Sequence, residues 1–167
     1  MNKMMIAPLA LFAVSCSGSD EVASGTFDDG EGGKGNYSVT GNEEDSETVI
    51  KSGDSEVRIA IGSKATENLP MGLKLYPGAD VQSSMTGMGD GKSGAMIVFS
   101  SSDDQDDVVS FYKNQLKAKG IDIKTEVKAG DMQMIGGERD DGEGVNISVT
   151  KDGKGGVTAT LIAGGKN

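Results

Sequence analysis

The sequence predicts an α+β fold, an antiparallel β-sheet covered by one main α-helix and preceded by a disordered acidic tether and a short strand-rich segment. Three observations predict it. A helical stripe runs from Ser102 to Lys119, runs of alternating polar and apolar residues lie on both sides of it, and the stretch from Ser17 to Gly35 has neither period. Of the 167 residues 35% are apolar and 4% aromatic, with no Trp, so the core must be built mainly from Val, Ile, Leu and Met.

The helix is the best-marked element. Val108, Val109, Phe111, Tyr112 and Leu116 fall on one face, Asp103, Asp104, Asp106 and Asp107 crowd the positive end of the helix dipole, and Gly120 is placed to stop the helix. Ser102 with Gln105 three residues on has the spacing of a capping box. Adjacent carboxylates at a helix start point around the axis, so helix stabilisation accounts for the four aspartates better than calcium binding does.

After the helix, Ile121, Ile123, Thr125 and Val127 share one strand face. Short strands follow at Met132 to Met134, at Val145 to Val149 and at Val157 to Ala163, separated by turns at Gly130, Gly136-Gly137, Asp141-Gly142 and Asp152-Gly153. Before the helix, Ala95 to Ser100 reads as a buried strand. The Gly-rich stretch Gly87 to Gly94 in front of it reads as a loop, and with a strand following Lys92-Ser93 it lacks the context of a phosphate cradle.

Upstream, Asn36 to Thr40 and Ser55 to Ile61 alternate with period two, as half-buried strands do, with the β-branched Thr48 to Ile50 between them. From Ser17 to Gly35 the chain is rich in Gly, Ser and Asp, which predicts a flexible spacer with a reach of roughly 25 Å. The expected units are a signal peptide at residues 1–15, a lipidated tether at 16–35, an acidic strand-rich segment at 36–65 and the α+β domain at 66–165.

The N-terminus carries an address. Lys3 precedes an apolar run from Met4 to Val14, the layout of a secretory signal peptide and too short to span a membrane. Ala13-Val14-Ser15-Cys16 resembles the lipobox of bacterial lipoproteins, with Ala13 where Leu is usual. That resemblance implies cleavage between Ser15 and Cys16 and acylation of Cys16, and Ser17 in place of Asp resembles the outer-membrane default, facing the periplasm or the cell surface. Ala13 and Ser15 equally satisfy the small-residue rule of ordinary secretion, which would cut the same bond. Over Leu69 to Gly120, Leu-Pro, Tyr-Pro-Gly-Ala, a strand ending Phe-Ser and Asp-Val-Val-Ser-Phe-Tyr look like a domain recurring in bacterial envelope lipoproteins. That resemblance brings no catalytic residues with it.

Composition excludes several functions. With no His, imidazole base catalysis and His-ligated zinc are absent, and one Cys cannot form an internal disulfide. A net charge of −10 argues against a nucleic-acid partner, and eleven acids against Lys34 and Lys51 between Ser17 and Glu56 hold nearly all of it. No residue is assigned a catalytic, cofactor or metal role. The expectation is a non-enzymatic envelope lipoprotein that contacts the membrane through Cys16 and binds an envelope protein, glycan or lipid. The alternatives are a calcium-tuned surface module using loops such as Asp140-Asp141-Gly142-Glu143, and a carboxylate hydrolase for which Glu138 with Asp140 would be the candidate pair.

Overall fold

A computed structural model describes residues 21–28, 32–65, 69–89 and 92–166. The signal segment with Ser15 and Cys16 lies outside the described residues. The strands are β1 (Glu21–Asp28), β2 (Lys34–Gly41), β3 (Ser46–Ser52), β4 (Ser55–Ile61), β5 (Asp80–Gly89), β6 (Lys92–Ser101), β7 (Asp122–Ala129), β8 (Met132–Glu138), β9 (Gly144–Lys151) and β10 (Val157–Lys166), and the helix is α1 (Gln105–Ala118). All ten strands belong to one antiparallel sheet in the order β1-β2-β3-β4-β5-β6-β10-β9-β8-β7. The chain meanders from β1 to β6. It then crosses through α1 to the far edge at β7 and meanders back, so that β10 closes against β6.

This overturns the expected α+β architecture, because the fold is mainly one long sheet and α1 covers only part of it. Glu21–Asp28, inside the expected tether, is a paired strand. Composition hid it: Ala23, Gly25 and Phe27 alternate, but glycine and alanine make the pattern look polar. Cross-strand contact supplies what propensity lacks. The Phe27 ring lies over Gly35 and the Tyr37 ring over Gly25, so these two glycines are each covered by an aromatic ring from the neighbouring strand. The expected segment at 36–65 likewise continues into the sheet through β4–β5 pairing rather than standing apart.

Other local expectations are corrected in the same way. Gly87 to Gly94 is mostly the end of β5 and the start of β6. Gly136-Gly137 lies within β8 and is not a turn, and a Cβ on Gly137 would meet Ile121 Cγ2 at 2.8 Å. Close packing, not turn chemistry, demands that glycine. In β7 a bulge between Ile123 and Thr125 breaks the single face, leaving Ile123 partly buried and Val127 38% exposed on the other side. α1 is shorter than expected, with Asp104 as N-cap and no side-chain cap bond, and Gln105 makes no capping box because its amide points into the core.

The core lies between α1 and one face of β6, β10, β9 and β8. Val108, Tyr112 and Leu116 of α1 are fully buried against Phe99, Leu161 and Ile147 of the sheet. Each such side chain contributes about 1.5–3 kcal/mol by leaving water. The segment from Leu69 to Ala79 lies along this layer, with Leu73 buried and Tyr76 packed edge-on to Phe111 at 5.1 Å. Tyr112 anchors the same segment, its hydroxyl accepting the Tyr76 backbone N–H at 3.2 Å.

Strand register decides which residues share the α1 side. Ile97 pairs with Ser84, Ser84 with Ala60 and Ala60 with Glu47. The α1-side face of the N-terminal strands is therefore the polar one. Val57, Ile59 and Ile61 lie on the opposite face, where no element of the described chain covers them.

Candidate functional site

Where the α1 layer ends, the sheet continues as the floor of a cleft of about 620 Å³. Ala60 of β4, Ser84 of β5 and Ala95 of β6 form its base and are all buried. Leu69 and Pro70 stand at one wall, where Pro70 opens a short 3-10 turn over Pro70–Gly72. Proline suits that position because its missing N–H would have no helical partner there. Met88, 56% exposed, contributes an adaptable apolar side chain at the lip.

The polar side of the cleft is an ion-pair chain across β3 and β4. Arg58 Nε donates to Glu56 Oε1 at 2.6 Å and Arg58 Nη1 to Glu47 Oε1 at 3.1 Å, while Lys51 Nζ lies 2.8 Å from Glu56 Oε2. Hydrogen bonds from Lys51 and then Arg58 hold the Glu56 carboxyl below the usual carboxylate range, and Glu56 followed by Glu47 raises Arg58 further. These groups are exposed, so their net contribution to stability is small. Their effect is positional, because they fix a guanidinium at the edge of an apolar floor. Lys64 adds a second cation to the lining. The arrangement suits an amphipathic molecule, with its apolar part on Ala60, Ala95, Leu69 and Pro70 and a polar group toward Arg58.

None of the cleft residues is a site predicted from sequence. The alternation Glu56-Arg58-Ala60 against Val57-Ile59-Ile61 did reveal two faces, but period two does not say which of them continues the core. Cys16 and Ser15 lie outside the described residues. Glu138 is exposed and unengaged by Asp140, whereas Asp141 Oδ1 accepts the Glu143 N–H and Glu143 Oε2 pairs with Arg139 at 2.5 Å. Two of the loop's carboxylates, Asp141 and Glu143, are thus engaged within its own turn. Among the described residues no group of three or more acidic, Cys or His side chains is placed to hold a metal ion, and no helix is long and apolar enough to cross a membrane.

A family model described as START domain-like matches residues 81–156, fewer than half of the 167 residues. The match runs from β5 through α1 to the turn after β9, and modules of this class are generally ligand-binding rather than catalytic. Neither a curated protein nor a solved structure shows a significant match to the chain.

Proposed function

We propose that this chain is a non-catalytic ligand-binding module of the bacterial envelope, anchored by lipid on Cys16, and that the cleft over β4, β5 and β6 receives the apolar part of an amphipathic ligand. The START domain-like match, which covers the β5 and β6 part of the cleft, carries this reading. Charge supports a binding rather than a chemical role, because Glu47, Glu56, Arg58 and Lys51 already engage one another. The anchor is short. With β1 beginning at Glu21, the link from Cys16 spans at most about 17 Å, so the sheet works close to the lipid surface.

Two measurements test the two parts. Titration with a fluorescent long-chain fatty acid is expected to saturate with the wild-type chain, and Ala60→Phe, which fills the cleft floor, is expected to weaken binding about tenfold or more. No saturable binding, or full binding by a folded Ala60→Phe chain, rejects the cleft. Mass spectrometry of the mature N-terminus together with detergent-phase partitioning of Cys16→Ala tests the anchor, which is rejected if the variant partitions like wild type.

A further inference from the structure

The sheet face opposite α1 has the relief of a self-association surface. Met85, Met96 and Ile162 pair with one another across β5, β6 and β10, and are 41%, 37% and 49% exposed. They form a ridge that runs across the strands. Two residues further along each strand, Gly87, Gly94, Gly164 and Gly144 also pair in sequence across β5, β6, β10 and β9. They form a parallel trough with no side chains, and Val57, Met85, Met96 and Ile162 border the resulting groove of about 490 Å³.

The fold itself does not require three of these glycines. A Cβ on Gly87, Gly94 or Gly144 would meet its nearest neighbour at 3.8, 3.5 and 3.8 Å, which is ordinary contact, and none of the three has a positive φ. Glycine weakens a strand interior and often marks the close approach of another chain.

We infer that the chain forms a two-fold homodimer through this face, with the Met85–Met96–Ile162 ridge of each copy seated in the glycine trough of the other. The ridge and trough are adjacent and parallel, so a two-fold axis lying between them places one over the other. The same axis continues the match outward: Ile59 meets Val57 at β4, and Val39 meets Tyr37 at β2. Because the axis runs across the strands, the two sheets stack with their strands aligned, the usual arrangement of face-to-face sheets once twist is included.

Charge and area agree with this partner. From β1 to β9 the two central rows carry no charged side chain, so the centre of the stack desolvates no ion although each copy bears −10 overall, and Lys92 lies at the rim, in the row beyond the trough. Eight strands and four rows of side chains cover roughly 34 by 20 Å, or roughly 700 Å² per copy, against roughly 800 Å² per partner in a standard stable interface. A flat lipid surface would match neither the twist of the sheet nor the trough.

Sedimentation velocity tests the inference on the full chain carrying Cys16→Ser, so that no acyl group drives micelle formation and the result is independent of the lipid anchor. Twice the monomer mass is expected in the micromolar range. Gly87→Val and Gly94→Val fill the trough and are expected to give monomer. Met96→Asp and Ile162→Asp place charge at positions that are exposed in one copy, so they are expected to give monomer with unchanged circular dichroism even if the valine variants fold poorly. A wild-type chain that stays monomeric at 100 μM overturns the inference, whether or not it binds phosphatidylcholine vesicles. So does a dimer that the aspartate variants leave intact.

Discussion

At the scale of single residues, two polar side chains tie α1 to the sheet. Gln105, 3% exposed, donates both amide hydrogens, to the carbonyls of Asp131 at 2.6 Å and Val149 at 2.7 Å, and its Oε1 accepts from Gln133 Nε2 at 3.0 Å. Gln133 gives its other hydrogen to Asp106 Oδ1 at 2.5 Å. Gln105→Leu keeps much of the volume but removes three hydrogen bonds, leaving the Asp131 carbonyl with the Lys151 N–H and Gln133 with Asp106, and it is expected to cost about 3 kcal/mol. Equilibrium urea unfolding checks this, and a loss below 1 kcal/mol would mean that water enters to replace the amide. Tyr76 supplies a pH-dependent contribution. Its hydroxyl donates to Asp103 Oδ2 at 2.7 Å, and the carboxylate, aided by burial, pushes the phenol from 10.0 up to about 12. A pKa raised by folding means stability that is complete below pH 10 and lost as pH rises toward 12. Tyr76→Phe is therefore expected to flatten part of the alkaline decline in stability, while Tyr112, raised by burial, still titrates in both proteins. An identical alkaline slope in the two proteins would remove Asp103 as the cause.

Among elements, α1 and the strands around it differ in how far the sequence betrays them. The helix is legible because its apolar stripe, acidic start and terminal glycine all agree, and Gly120 does adopt a φ of +68°. Gly120→Ala meets no neighbour within 4 Å, so its cost is conformational alone, about 1 kcal/mol. Thermal unfolding should show a fall of a few degrees, and no change would mean that the helix end relaxes. The capping box expected at Ser102 and Gln105 does not form, since Gln105 has a better partner 44 residues away than the turn it begins. β2, β3 and β4 were visible from alternation and β-branched residues, with β4 matching its expected span of Ser55 to Ile61. β1 and β5 were not, because Ser, Gly and Thr fill both and only pairing with a neighbour makes them strands. The cleft was hidden for a related reason. Its residues come from four strands, β3 to β6, and from the chain between β4 and β5, so that their adjacency is a matter of register, and its polar lining reads in sequence as an ordinary solvated face.

Over the whole molecule, hydrophobic burial is concentrated at one end of a continuous hydrogen-bonded sheet. The core cluster runs from Leu73 to Ala163, and of the strands before it only β4 contributes a buried apolar residue, Ala60. β1 to β4 are thus held by ladder hydrogen bonds and cross-strand contacts, with no second layer of helix or sheet on either face among the described residues. Such ladders open at lower free energy than strands buried under a helix. Hydrogen exchange is therefore expected to show β1 to β4 opening well below the global unfolding free energy, while β8 to β10 and α1 exchange only with global unfolding. Core truncation should separate the two regions further: Ile147→Ala, at a fully buried position, is expected to cost about 3 kcal/mol and to bring the global opening of β8 to β10 down toward that of β1 to β4. Self-association changes this pattern in one direction only. A second copy stacked on the far face supplies the missing layer to β2, β3 and β4, so their protection should rise with protein concentration by mass action, whereas β8, covered by α1 in each copy, should depend far less on concentration. Protection of β2 to β4 that equals that of β8 in dilute solution would contradict this division, because it would require those strands to draw their stability from a layer that the described residues of a single chain do not provide.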